Sequence, residues 1–354
     1  MSESPTDLAA RLLAVPALRK ILNSHASTDA PLPSGELLLP HTADRRYGAS
    51  HYNVVIPDLP APHRYLGCAV IIGGVGTRAF DIDHAVHGSP RNTATIALGT
   101  AATAPDGFCS YSIEDDCDLR EDGSLLRFGD DLRIEGRFPD YRITVQRPDF
   151  TLDIEVAATD EITWFARSPI YDHVGFPARY RGTLTYRGES TEVDGVLSLE
   201  HARLLSLPGL LGRPFPAQMK LPWTFFTYHV IKVGPEALLM LASAEMFGQD
   251  LLTSAYYKEI GGRHDRWVHG VEFDVLSYRD RPQLAPDGDA TRIPHELRWR
   301  ITDGDAVVTE IVGTTDTDLI YGLGRGWIGG YTYSGHHLGE PVGGDAYYEY
   351  VDQR

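Results

Sequence analysis

Cysteine is scarce in this chain of 354 residues, which holds only Cys68, Cys109 and Cys117. An odd count without paired ligand spacing excludes a disulfide framework and a zinc module. Cys109 and Cys117 are close enough in sequence for a bridge, yet so sparse a set reads as reduced thiols. Basic residues are outnumbered, 32 against 49 acidic, for a net charge of −17. Such a balance repels nucleic-acid phosphate and anionic membrane. No apolar run reaches membrane-spanning length, and the amino terminus lacks the charged, apolar, small-residue order of a secretory signal. There is no Gly-x-Ser-x-Gly elbow and no Walker pattern, which weighs against serine hydrolases and nucleotide-dependent enzymes. The expectation is a reduced, cytoplasmic, soluble protein with no membrane span and no nucleic-acid partner. Its oligomeric state is open.

What the chain does contain is a repeat. Gly182, Thr185, Tyr186, Gly188, Val193, Gly195 and Glu200 recur in order as Gly329, Thr332, Tyr333, Gly335, Val342, Gly344 and Glu349. Thr and Tyr suit a pleated strand, and Gly supplies turns and close approaches, so each copy reads as a β-hairpin. The copies end long strand-like runs about one domain length apart. With 42% hydrophobic residues the body of the chain has enough apolar material for two cores.

A helix is expected over Leu8 to Leu22, then a Pro- and Ser-rich arm over Ser27 to Pro40. Short strands with turn signals follow, including a meander from Gly123 to Ala157 whose polar and apolar residues alternate. Leu204 to Pro222 is too broken by Pro and Gly for one helix and too apolar for a solvated linker. Strands resume at Trp223, with single strands expected at Ala237 to Met246, Leu251 to Ile260 and Trp267 to Tyr278. The fold class is therefore all-β: two tandem antiparallel β-barrels from an internal duplication, with a short N-terminal helix. The boundaries read as 1–44 for helix and arm, 45–202 for the first barrel, 203–222 for the connector and 223–354 for the second barrel. A pair of β-sandwiches is the alternative.

Trp164 to His173, continuing through Gly182 to His201, resembles the duplicated lipocalin-like proteins, and Gly326 to Asp352 is similar to their closing hairpin. That superfamily includes carotenoid 1,2-hydratase (hydroxyneurosporene synthase) and the lipocalin-like Diels–Alderases. The resemblance implies two calycin-type barrels with an apolar cavity in one barrel or at their junction. It also implies chemistry on terpenoid or polyketide-like substrates without a redox cofactor.

Protonating an alkene or cyclising a polyene needs an acid in an apolar pocket, with aromatic faces to stabilise positive charge. The candidate acids are Asp172 and Glu245, the latter in an otherwise apolar strand, with His173 as proton partner. On a strand Asp172 points away from Tyr171 and His173, and Glu200 away from His201. The recurrence of Glu200 as Glu349 favours a structural role for it. Trp223, Phe225 and His229 line one face of an aromatic strand, Phe226 and Tyr228 the other. These residues, with Tyr171, Glu200, His201 and Tyr256, are the candidate substrate contacts. His84 and His87 near Asp81 and Asp83 lack a completing metal ligand. Glu114 to Asp118 reads as a solvated acidic turn, and His336-His337 as an exposed turn. No metal and no cofactor is expected.

The function expected is a cofactor-independent enzyme that hydrates, isomerises or cyclises a hydrophobic terpenoid, steroid or polyketide-like molecule. The alternative is a non-catalytic carrier for a lipophilic ligand. A solidly filled, structural pair of barrels is the third class.

Overall fold

In the computed structural model, residues 15–19, 32 and 38–354 are described. Residues 15–19 are helical, and the rest of the expected helix and most of the arm lie outside the described residues. Alternation governs the strands. In Asp140–Arg147 only Ile143 and Val145 are buried, and in Phe150–Ala158 every second side chain is. Other strands, such as Thr93–Thr100 and Ala237–Met246, are buried almost throughout, which requires cover on both faces.

The first sheet comprises β1 (Ala49–Leu59), β2 (Arg64–Gly73), β3 (Thr93–Thr100), β4 (Phe108–Ser112), β5 (Cys117–Leu119) and β6 (Leu125–Phe128). It continues with β7 (Leu132–Arg137), β8 (Asp140–Arg147), β9 (Phe150–Ala158), β10 (Thr163–Arg167), β11 (Tyr171–Tyr186) and β12 (Glu189–Leu204). The second comprises β13 (Trp223–Gly234), β14 (Ala237–Met246), β15 (Gln249–Glu259), β16 (His264–Trp267) and β17 (Val271–Tyr278). A small ribbon of β18 (Gln283–Leu284) and β19 (Ala290–Thr291) precedes β20 (Pro294–Asp303), β21 (Ala306–Thr314), β22 (Ile320–Leu323), β23 (Gly326–His337) and β24 (Glu340–Asp352). The stretch expected as one strand from Trp267 to Tyr278 is broken at Gly270, whose φ is +68° and which packs on the Thr302 carbonyl.

Each sheet curls into a barrel. The edge strands β4 and β5 are joined by a single helical turn, Ile113–Asp116, in which Asp115 and Asp116 accept hydrogen bonds from Ser112. The acidic cluster is thus the hinge that brings the first sheet's edges together. The pairing order β4-β3-β2-β1-β12-β11-β9-β8-β7 is repeated as β16-β15-β14-β13-β24-β23-β21-β20-β17, and β10 on β11 recurs as β22 on β23.

This duplicated topology corrects the register of the sequence repeat. Val193, Gly195 and Glu200 correspond to Val342, Gly344 and Glu349, as the spacing indicates. Gly182, however, pairs with Val193, and the residue paired with Val342 is Gly335, not Gly329. Both glycines admit a neighbouring strand so closely that a Cβ would lie 2.0 Å from the carbonyl oxygen of Asp153 or of Glu310. Tyr180 lies against Gly195 in one copy and Tyr333 against Gly344 in the other. The second turn therefore falls at Leu338-Gly339, and His337 is a buried strand residue with its Nδ1 2.8 Å from the Thr309 hydroxyl.

Both barrel interiors are filled. Val54, Cys68, Phe128, Ile143 and Phe176 pack the first. Leu239, Trp299, Ile311, Tyr331 and Tyr348 pack the second. A third core lies between the barrels, where Val55 and Ala69 meet Val230, Met240, Ile328 and Tyr347. There the Tyr347 ring lies over Gly67 and the Tyr65 ring over Gly330, each aromatic filling the space where the other barrel has no side chain.

Gly182→Ala should cost about 2–3 kcal/mol, because the added methyl meets rigid backbone. Gly188→Ala should cost about 1 kcal/mol, from positive φ alone, since nothing lies within 4 Å of that site. Urea midpoints of the two variants check this, and equal losses would remove the close approach as the reason for Gly182.

Candidate functional site

Strand alternation turns Leu199 and His201 into the first barrel and Ser198, Glu200 and Ala202 outward, onto the seam. In β24 the same alternation turns Tyr348 and Tyr350 inward and Tyr347, Glu349 and Val351 onto the seam. The two repeat-related glutamates are thus carried to one water-poor interface, exposed by only 1% and 2%. Their partners are exchanged. Asn53 stands opposite Glu200 in the β1–β12 pairing, yet its amide donates to Glu349 Oε1 at 2.7 Å. Tyr228 stands opposite Glu349, yet its hydroxyl donates to Glu200 Oε1 at 2.5 Å. Each carboxylate also takes a hydroxyl donor from two residues back, Ser198 at 2.8 Å for Glu200 and Tyr347 at 3.0 Å for Glu349.

The symmetry ends at β11. His173, two residues before the Gly175 that pairs with Glu200, places Nε2 3.5 Å from Glu200 Oε2, an ion-pair separation rather than a full hydrogen bond. Its Nδ1 is 3.0 Å from the Tyr171 hydroxyl. The His173 side chain is 17% exposed, whereas Glu200 behind it is sealed. Phe165 lies against His173, Tyr228 and Tyr256, with ring centroids 4.8, 5.7 and 5.1 Å away. Beside these, Phe80 packs edge-on to Trp223 and Phe226. A row of paired residues, His173, Ala202, His51, Ile71 and Thr95, crosses this face. It leads to a void of about 30 Å³ lined in part by Ile71, Phe80 and Thr95.

Electrostatics separate the two acids. Burial pushes Glu200 up, but the ion-pair contact with His173 and the hydrogen bonds from Tyr228 and Ser198 outweigh it and hold the carboxyl below its ordinary value. Glu349 is pushed up to about 8, first by burial and then by the charge of Glu200. At neutral pH the pair therefore carries one proton, on Glu349. Burial, then the nearby charge of His173, lowers His51 to about 4, so it is neutral. Burial and the Glu200 charge keep the Tyr171 phenol protonated.

Several expected site residues lie elsewhere. Asp172 faces the rim of the first barrel, where Arg203 pairs with it at 3.1 Å and the Ser168 amide donates to it. Glu245 ends its strand in an ion pair with Arg354 at 2.8 Å. His201 is inside the first barrel against Tyr52, 3.1 Å from the Leu39 carbonyl. Phe225 and His229 are core of the second barrel, His229 being ringed by Phe273, Trp299, Tyr331 and Tyr348. A register shift after Trp223 turns its ring to the Phe226 side, with Tyr228 and Tyr256 on the seam. Glu349 is the member that sequence reasoning missed. Its signal was the repeat itself, since residues at equivalent positions meet wherever two copies pack face to face.

No group of three or more metal-ligating side chains occurs among the described residues, and all three cysteines are free thiols. The Gly73-Gly74-Val75-Gly76 backbone serves Asp81, which accepts from Val75 and Gly76. A groove of about 970 Å³ runs outside the first barrel, but its arginines are paired, Arg179 with Glu236 and Arg181 with Glu155.

Residues 69–354 match a family of unknown function, DUF6670. No curated protein matches the chain. Among solved structures, a Nitrosomonas europaea protein provisionally called AttH is similar with a TM-score of 0.62 at 13% identity, over 93% of this chain and 99% of that one. CghA in complex with Sch210972 is similar with a TM-score of 0.46 at 12% identity, over 92% and 94%. The first likeness speaks for the two-barrel fold alone, and the second is too loose to argue from.

A carboxyl whose folded-state value is raised binds its proton more tightly folded than unfolded, so its contribution is present at low pH and lost as pH rises. Stability should fall between about pH 4.5 and 8 through Glu349. Glu349→Gln should flatten that decline in urea midpoints taken at pH 5 and pH 9, and a wild-type slope in the variant would place the proton elsewhere.

Proposed function

We propose that this chain, which belongs to the DUF6670 family, is a cofactor-independent enzyme that moves protons on a hydrophobic small molecule at the seam between its barrels. The observation that carries this reading is the relay Tyr171–His173–Glu200–Tyr228, half-exposed at one end and sealed at the other. Glu200 stays ionised behind His173, its Oε2 3.5 Å from the imidazole Nε2. His173 in turn backs the Tyr171 phenol, which burial and the Glu200 charge keep protonated. A phenol so placed donates its hydrogen bond or its proton to a carbonyl oxygen of the substrate and recovers that proton when the carbonyl re-forms, with no net change in the charge of the relay. The faces of Phe165, Trp223 and Phe226 suit an apolar terpenoid, steroid or polyketide-like substrate and the positive charge that develops on it. Hydration or dehydration, double-bond isomerisation and cyclisation all follow from such a proton transfer.

The test is a thermal-shift screen against terpenoid, steroid and polyketide-like compounds, followed by turnover of whatever stabilises the protein. Tyr171→Phe should lower kcat by about a hundredfold or more while leaving ligand binding within a few-fold. Asp172→Asn, which removes only the Arg203 ion pair, should keep its turnover. Full activity in Tyr171→Phe would take the relay out of the mechanism, and ligand binding without turnover would establish the carrier.

A further inference from the structure

Ten large apolar side chains are exposed among the described residues, and six of them belong to the connector or the loop beside it: Ile170, Leu205, Leu207, Leu211, Met219 and Leu221. Single exposed apolar residues are ordinary, but a cluster of six marks a binding face. The cluster is continuous in the fold. The Leu205 amide donates to the Ile170 carbonyl at 2.8 Å, and Leu207 and Leu211 lie one turn apart on the short helix Leu207–Leu211. These side chains are held outward by a rigid frame. Ser206 bonds the Gly74 carbonyl, Pro208 and Gly209 are buried, and Lys220 is sealed between Asp81 at 3.1 Å and Asp83 at 2.6 Å.

The charge of this face differs from that of the whole chain. Residues 201–222 contain Arg203, Arg213 and Lys220 and no acidic residue, in a chain where 49 of 354 are acidic. Arg78 joins from one side by donating to the Ala217 carbonyl, and Arg46 from the other by donating to that of Pro169. Of the nearby acids, Asp172 is paired with Arg203 and Asp81 with Lys220, while Asp83 shares that one lysine and is half exposed. An apolar centre with a cationic rim is thus held on one face of a protein whose net charge is −17. A second copy meeting it through a two-fold axis would bring the same arginines together. A lipid surface instead offers acyl chains to the leucines and phosphates to Arg46, Arg78 and Arg213. The distant acidic surface is screened beyond about 8 Å at physiological ionic strength.

We infer that this collar docks the protein on the surface of an anionic phospholipid bilayer. The position is apt, because Ile170 directly precedes Tyr171 and Leu221 lies two residues before Trp223, and Tyr171 and Trp223 pack with Phe226 in one cluster. A lipophilic molecule leaving the membrane there would have a short path to the aromatic side chains of the seam. The docking face is separate from the seam chemistry and goes beyond it, since vesicle binding needs no turnover.

Co-sedimentation with phosphatidylcholine vesicles, and with vesicles containing about a third phosphatidylglycerol, tests this at 0.15 M salt. Wild type should partition more strongly onto the anionic vesicles. Leu207→Asp, Leu211→Asp and Met219→Asp combined should lower that partition at least tenfold, and Arg213→Glu should erase the preference for anionic lipid. All four positions are exposed, so unchanged melting temperatures confirm folding, and Glu200→Gln should bind vesicles as wild type does. Absence of wild-type partition, or partition unaffected by the triple variant, overturns the proposal. So does a wild-type dimer in sedimentation velocity that the triple variant makes monomeric, which would assign the collar to a second copy of the chain.

Discussion

Two carboxyl groups facing one another where water is excluded cannot both be charged, and the seam of this protein is built around that constraint. Duplication places a glutamate at the same strand position in each barrel, and face-to-face packing brings the copies together. The conflict is resolved by donors of unequal strength. Glu200 has two hydroxyl donors and a histidine and remains an anion. Glu349 has a hydroxyl and an amide and keeps its proton. Because Asn53 and Tyr228 each cross the seam to serve the other barrel's carboxyl, the interface is also locked in register. A slide of one barrel by a residue would take from each acid the donor that the other barrel supplies.

The same asymmetry sets the first copy's half of the seam apart from the second's. If both copies had kept the same surroundings, the seam would be a symmetric staple. Only the first copy has His173 and Tyr171 extending from the buried acid, with Phe165 packed on His173 and Phe80 on Trp223 beside them. The barrels bear this specialisation because their interiors need nothing from it. Each is filled by its own alternating side chains, as the clustering of Phe225 and His229 with Trp299 and Tyr331 illustrates.

Stability and site are coupled through glycine as well as through charge. Gly182 and Gly335 let β11 and β23 approach their neighbours, and those two strands pair directly with the strands that carry the glutamates. The connector adds a second coupling. Its buried Lys220 ties the loop around Asp81 and Phe80 to the start of β13, so the aromatic wall and the exposed leucines beside it are set by one ionic frame.

Alternation and turn chemistry were legible in the residues themselves. Ile143 and Val145, or the buried run of Ala237 to Ala244, declare their faces because side chains on a strand point to opposite sides. The duplication was legible too, since Val193, Gly195 and Glu200 repeat at constant spacing. Its other half was not, because the second hairpin is two residues shorter from its turn to the glutamate, and only strand pairing shows that Gly182 answers to Gly335. Asp172 and Glu245 looked like desolvated acids because their neighbours are apolar, but Arg203 and Arg354 come from other strands and from the far end of the chain. Glu200 and Glu349, 149 positions apart, become one site only when the barrels pack. The sequence by itself determined which faces each strand buries and that there are two such barrels, because those follow from local periodicity. Which buried acid keeps its proton was decided by tertiary structure alone, because a carboxyl's charge depends on the donors that distant strands bring to it.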